Sequence, residues 1–267
     1  MALITTVINQ KGGTGKTTTA MNLGGALAAA GKKVLLVDID PHACLTYSFG
    51  ISRSNGTIVD VFSGSKGLEE ILVEREGMSV VPASTGLADV ELSLRDRPGR
   101  ENLLSRSLVG AGGFDYILID SPPSLSILTL NALKAADQLL IPMFMDVLSV
   151  QGLAGFLSTV AEVRRAFKKP LPIKGIVALR YDGRVRLSKE VFSYVKRNFN
   201  VRVFNTKIRC DVRVAEAPSY AKSVVRYAPC SGGAKDFKSL AAEFLSAGGR
   251  VMAARGGYKG KTKSFNL

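Results

Sequence analysis

The chain has 267 residues, with 36 Lys and Arg against 22 Asp and Glu and a net charge of +14. Apolar residues make up 46% of it, ample for a core, yet no apolar run approaches the ~18 residues that a membrane span needs. Three cysteines (Cys44, Cys210 and Cys230) form no C-x-x-C pair, which argues against a disulfide framework or zinc site; they read as buried or inert thiols in a reducing, cytosolic compartment.

Strand and helix patterns alternate along the chain. Residues 3–7 read as a strand, which argues against a secretion signal at the N-terminus. An alanine-rich helix follows at 16–30, ended by Gly31, and then a Val/Leu strand at 33–37 of the kind buried on both faces. Residues 43–76 read as short helices joined by Gly/Ser turns, 78–82 as a strand, and 86–110 as largely helical. Strands at 116–119 and 138–142 bracket a helix at 125–136. A long helix at 150–167 leads to a strand at 173–179. A basic helix at 188–199, a short strand at 201–204 and a closing helix at 235–247 complete the pattern. This order predicts an α/β fold, a doubly wound and mainly parallel sheet flanked by helices, occupying 1–247 as one domain. Residues 248–263 are glycine-rich, carry five basic residues and no acid, and begin a tail (248–267) expected to be mobile.

The positive charge is unevenly placed. Residues 1–163 hold 12 Lys and Arg against 16 Asp and Glu, a net −4, whereas 164–267 hold 24 against 6, a net +18. One sign concentrated on one part of the chain points to a polyanion-binding face.

Residues 9–18 read Asn-Gln-Lys-Gly-Gly-Thr-Gly-Lys-Thr-Thr directly after the first strand. Gly12, Gly13, Thr14 and Gly15 can turn backbone N–H groups toward an anion, and the helix that opens at Lys16 adds its positive dipole end. Lys16 is placed to reach β- and γ-phosphates, Thr17 to ligate Mg²⁺, and Thr18 to follow in the first helical turn. Asp120 closes the apolar run Tyr-Ile-Leu-Ile, so it stands at a strand tip where an acid can hold a Mg²⁺-bound water. Asp38 and Asp40, two apart at another strand end, form a second acidic pair. His42, the single histidine, reads as packing or hydrogen-bonding beside that pair rather than as a catalyst.

The strict phosphate-loop pattern has a glycine where this chain has Gln10, and it lacks the extra Lys11. Lys-Gly-Gly-Thr-Gly-Lys-Thr-Thr at 11–18 resembles the deviant Walker A box of the ParA/MinD class of P-loop NTPases. Asp-Ser-Pro-Pro-Ser-Leu at 120–125, Leu-Thr-Leu-Asn-Ala-Leu at 128–133 and Val-Arg-Val-Ala-Glu-Ala-Pro-Ser at 212–219 resemble the short, Soj-like ParA proteins, over nearly the whole chain. This resemblance implies an ATPase that is slow without a partner, with ATP and Mg²⁺ as cofactors. It implies that Lys11 reaches across a homodimer to the partner's nucleotide, with Lys11, Lys16 and Asp40 catalytic. Asp40 would orient the attacking water. Thr17, Asp38 and Asp120 would surround Mg²⁺, the acids through water, and Pro218 would flank the adenine.

The same resemblance assigns non-specific DNA binding to Arg184 and Arg213, with Arg186, Lys196, Arg197, Lys222 and Arg226 as neighbours. The implied partners are double-stranded DNA of the nucleoid and a ParB-like or cargo adaptor protein with a basic disordered N-terminus. The implied role is positioning or segregating a plasmid, a chromosome or a protein complex, in a cytoplasmic, nucleoid-associated protein with no membrane attachment. The alternative is a regulator of the MinD or flagellar-number type, acting through a membrane or through protein partners. Departures from the family are His42 in place of glutamine and Arg209 in place of a proline near the adenine.

Overall fold

The structure is a computed structural model, and it describes residues 2–246. Eight strands form one sheet: β1 (Leu3–Val7), β2 (Val34–Asp38), β3 (Val73–Arg75), β4 (Met78–Val81), β5 (Tyr116–Asp120), β6 (Gln138–Phe144), β7 (Ile173–Tyr181) and β8 (Val203–Arg209). Their order is β3-β4-β2-β5-β1-β6-β7-β8, and every pairing is parallel except β3 with β4. The helices are α1 (Lys16–Ala29), α2 (Cys44–Ser48), α3 (Ile58–Ser63), α4 (Leu87–Ser93), α5 (Leu103–Val109), α6 (Ile127–Ala135), α7 (Val147–Phe167), α8 (Arg186–Asn198), α9 (Val212–Glu216), α10 (Val224–Tyr227) and α11 (Gly232–Ser246). The expected tail at 248–267 lies outside the described residues.

Successive strand side chains point to opposite faces, so each apolar strand feeds two cores. Val34 and Leu36 of β2 join α1, α10 and α11 on one face, with Phe237, Leu240 and Phe244 among the buried residues. Leu35 and Val37 point the other way, toward α3, α5 and α6. On that second face, Ile141 of β6 and Ile176 of β7 pack under α7 and α8. The doubly wound sheet expected from the alternation is therefore present. It sets the carboxyl ends of β1, β2 and β5 side by side, with Val7, Asp38 and Asp120 in register.

The local differences have physical causes. Residues 73–75 form an edge strand rather than a turn, because Glu76 and Gly77, both at positive φ, let them fold back on β4. The last strand is longer than its apolar residues suggest. Glu243 of α11 accepts hydrogen bonds from Asn205 N (2.9 Å) and Thr206 N (2.9 Å), which satisfies polar backbone in a polar stretch of edge strand. The cysteines are all exposed, not buried, since each sits on a loop or at a helix start. No helix among the described residues is long and apolar enough to cross a membrane.

Candidate functional site

The loop between β1 and α1 is built for close backbone approach. Gly13 and Gly15 adopt left-handed φ of 71° and 80°. A Cβ on Gly15 would fall 2.5 Å from Leu179 Cδ1, so glycine is required there both for conformation and for space. Asn9 Nδ2 donates to Pro142 O (2.8 Å), Lys11 N donates to Asn9 Oδ1 (3.0 Å) and Thr14 Oγ1 donates to Lys11 O (3.1 Å), which fastens the loop to β6 and to itself. Gly12 and Gly13 lie exposed at the loop's crest, Thr14 is fully buried, and Thr17 and Thr18 are half-buried in the first turn of α1.

Lys16 is buried beneath the loop, and burial lowers its pKa against the opposing pull of the Asp120 and Asp40 charges. Asp120, at the tip of β5, is wholly buried; its Oδ2 accepts the Thr17 hydroxyl proton at 2.7 Å. Its Oδ1 is the one buried side-chain oxygen without a hydrogen-bond partner among the described residues. Burial, and then the charge of Asp38, push the Asp120 carboxyl well above its ordinary range. An unpartnered carboxylate oxygen beside a threonine hydroxyl, at the foot of a phosphate loop, is the donor set that a Mg²⁺ ion and its waters complete. The described residues contain no cluster of three or more His, Cys, Asp or Glu that would cage a metal unaided, so phosphate oxygens would have to share the coordination.

Asp38 is also fully buried but fully engaged. Its Oδ2 accepts Thr46 N (2.9 Å) and Thr46 Oγ1 (2.7 Å), and its Oδ1 accepts Asp40 N (3.1 Å). Burial raises its pKa to about 6. Asp40 stands just past the strand, its carboxylate mostly buried. His42 supplies two contacts to Asp40 Oδ1: its backbone N–H donates at 2.9 Å and its ring Nδ1 lies at 2.9 Å. Lys11 points along its own chain, with Nζ 3.3 Å from Ser149 Oγ and 3.6 Å from Asp146 Oδ1 at the start of α7. The sequence gives no role to Thr46 or Asp146, which belong to no motif, and none to Ser149, which opens a segment (149–153) resembling the family in altered form; the contacts of Asp146 and Ser149 with Lys11 span more than 130 residues.

The basic residues fall in three places. A helix following a parallel strand begins at the sheet's carboxyl edge and ends at the opposite edge. Arg184 and Arg186, at the start of α8, and Arg213, on α9 after β8, therefore share the edge of the phosphate loop. Lys196 and Arg197 close α8 roughly 15 Å away along its axis, where they complement the helix dipole. Lys222 lies just before α10 and Arg226 within it, and α10 packs against α1: Val224 N donates to Asn22 Oδ1 at 2.6 Å. Pro218 is half-buried in the adjoining 3₁₀ turn Ala217–Tyr220.

All seven of these cations are exposed. Arg184 pairs with Asp182 (2.8 Å), Arg186 with Glu190 (2.6 Å) and Arg213 with Glu216 (2.8 Å). A cleft of about 430 Å³ between the ends of β7 and β8 adds Lys207 and Arg209 to Arg184. Arg209 is held there by Asp236, at 2.7 Å and 2.8 Å. Lys207 was hidden from sequence reasoning by its place in an edge strand.

An AAA domain family model matches residues 2–173. The chain is 39% identical over 253 residues to the sporulation initiation inhibitor protein Soj of Bacillus subtilis, covering 93% of this chain and 100% of that one. It is 39% identical over 247 residues to the chromosome partitioning protein ParA of Caulobacter vibrioides, covering 90% and 92%. Among solved structures it resembles cobyrinic acid a,c-diamide synthase from Mycobacterium smegmatis with bound ATP analog and magnesium (TM-score 0.82, 34% identity, 94% and 98% covered). It also resembles the cell division ATPase MinD of Pyrococcus furiosus (TM-score 0.74, 28% identity, 92% and 99% covered).

Proposed function

The chain belongs to the ParA/Soj family of P-loop ATPases, and from that premise we propose that it is a nucleotide-driven switch that dimerises with ATP, binds DNA without sequence preference and positions a cargo along it. ATP is the substrate and Mg²⁺ the ion that accompanies it, as in the Mycobacterium structure. Lys16 and the loop N–H groups hold the phosphates. Thr17 and Asp120 would hold the cation, directly and through water, while Asp38, engaged by Thr46 and by Asp40 N, fixes the segment that carries Asp40 instead of facing the ion as the resemblance implied. Mg²⁺ held there would supply neutralisation of the phosphate charge.

Asp40 orients a water whose oxygen bonds to the γ-phosphorus as the bond to the bridging oxygen breaks. ADP leaves, and the water's proton ends on the phosphate product or in solvent. Lys11 leaves its own α7 and reaches the nucleotide of a second copy. A ParB-like or adaptor protein accelerates hydrolysis, and the monomers fall from the DNA. The protein works in the cytoplasm, on the nucleoid.

The observation that supports the DNA half is the placement of Arg184, Arg186 and Arg213 on the carboxyl edge of the sheet, the edge that carries the phosphate loop. A dimer closed over two nucleotides joins two such edges into one cationic surface. Its phosphate contacts add, giving avidity without base reading. The test is binding to a random-sequence duplex with ATP, ADP or no nucleotide, at fixed salt, for wild type, Lys16→Ala and Arg184→Ala/Arg213→Ala. Binding with ATP alone, lost in both variants, supports the reading. Equal binding in all nucleotide states, or none, overturns it and turns attention to membrane and protein partners.

A further inference from the structure

We infer that His42 is a positioning residue for hydrolysis: it fixes Asp40 through Oδ1 and leaves Oδ2 as the oxygen that faces the attacking water. The inference rests on the role proposed above for Asp40.

The backbone around Asp40 is already pinned. Ile39 N donates to Asp120 O (3.1 Å), Asp40 N donates to Asp38 Oδ1 (3.1 Å), and Ala43 N donates to Asp40 O (2.8 Å). The last of these bonds closes a β-turn with Pro41 and His42 at its centre, and proline is favoured at the first of those positions. The turn brings both the backbone N–H and the ring Nδ1 of His42 onto one carboxylate oxygen, at 2.9 Å each. Asp40 Oδ2 receives no hydrogen bond among the described residues. A carboxylate gripped at one oxygen has lost its freedom to rotate and keeps one acceptor for a water. Such pre-set geometry is what phosphoryl transfer draws on.

The His42 side chain is 78% exposed while that of Asp40 is 10% exposed. The histidine therefore acts from outside the site and contributes little to the core, so replacing it leaves the fold standing. It is also the place where this chain departs from the glutamine usual in the family.

The experiment measures ATP turnover of the full chain at saturating ATP and Mg²⁺, together with KM and ADP affinity. The variants are His42→Ala, His42→Asn, Asp40→Asn and the double variant Asp40→Asn/His42→Ala. Asparagine keeps a donor at the position of Nδ1. His42→Ala is expected to lower turnover about three- to ten-fold, the range spanned by one hydrogen bond, with KM and ADP affinity within about two-fold of wild type. His42→Asn is expected to recover most of that loss, and His42→Ala to have no further effect on Asp40→Asn. Wild-type turnover in His42→Ala, failure of asparagine to recover it, or equal losses with and without Asp40 would each overturn the inference while leaving the role of Asp40 intact. Wild-type turnover in Asp40→Asn would overturn the role of Asp40 and this inference with it.

Discussion

Lys11 Nζ lies 3.6 Å from Asp146 Oδ1 of the same chain, so the lysine expected to serve a second copy is held at home. Asp146 also caps α7 by accepting Ser149 N at 2.7 Å, which fixes its carboxylate in reach of the loop. The side chains are 38% and 40% exposed, and pairs so exposed contribute about 0.2–1 kcal/mol. The tether is weak enough for ATP to break. Asp146→Asn, which keeps an acceptor for the cap, is expected to lower the ATP concentration for half-maximal dimerisation by about two- to five-fold. Lys11→Ala is expected to abolish the dimer. Sedimentation across an ATP titration measures both, and an unmoved midpoint in Asp146→Asn would show that the tether costs the dimer nothing.

Asp120 and Asp38 set a stability dependent on pH. Burial raises Asp38 to about 6 in the fold against an ordinary 3.8. A carboxyl raised by folding binds more protons folded than unfolded, so stability declines as pH rises through that window, and the cost is complete above it. The nucleotide-free protein should therefore lose Tm between about pH 4 and pH 6 from this group. Asp120, raised in the same direction, adds to the loss.

Asp120→Asn separates stability from function. Its amide oxygen can still accept the Thr17 hydroxyl, while its NH₂ removes the buried charge at Oδ1. The nucleotide-free variant should melt higher than wild type at pH 8, by roughly 2–4 °C for each kcal/mol relieved. It should also lose Mg²⁺-dependent ATP turnover by about 100-fold or more. Calorimetry and a phosphate-release assay check the two parts. A lower Tm would mean that the orphan oxygen is not a burden on the fold.

Gly15→Ala tests the loop. Left-handed φ costs a residue with a Cβ roughly 1–2 kcal/mol, and the 2.5 Å approach to Leu179 adds to that. Denaturant unfolding should show a loss of about 2–4 kcal/mol, and ATP affinity should fall with it. An alanine variant as stable as wild type would contradict the geometry at Leu179.

Two of the three basic locations separate by salt dependence. Alanine at Arg184 or Arg213 should weaken ATP-dependent duplex binding uniformly across sequences and reduce the slope of log K against log salt by about 1 for each phosphate no longer neutralised. Lys196→Ala/Arg197→Ala, at the opposite edge of the sheet, should leave the slope within error. A larger effect from that pair than from Arg184 would move the DNA surface to the far end of α8.

The parallel core was legible because its strands are unbroken Val, Ile and Leu runs such as Val34–Val37 and Ile117–Ile119, and the helices between them are long enough to show their period. The short helices within 43–76 were legible from their Gly/Ser turns, but other short elements were not. The edge strand Val73–Arg75 and helices α9 and α10 are too brief for periodicity, and packing against longer neighbours creates them.

The sequence by itself determined the phosphate loop, its lysines, the strand-tip acids and the family, because spacing within ten residues is carried by the local backbone. Only the tertiary structure decided which oxygens are spoken for. It gave Asp38 entirely to Thr46 and Asp40, left Asp120 Oδ1 bare, turned Lys11 toward Asp146, set His42 on Asp40 and divided the basic residues among three locations. The contacts of Asp38 with Thr46 and Asp40 and the Asp40–His42 turn are local to the segment after β2; the other relations join residues brought together by the order of the strands, and strand order follows from packing two cores at once.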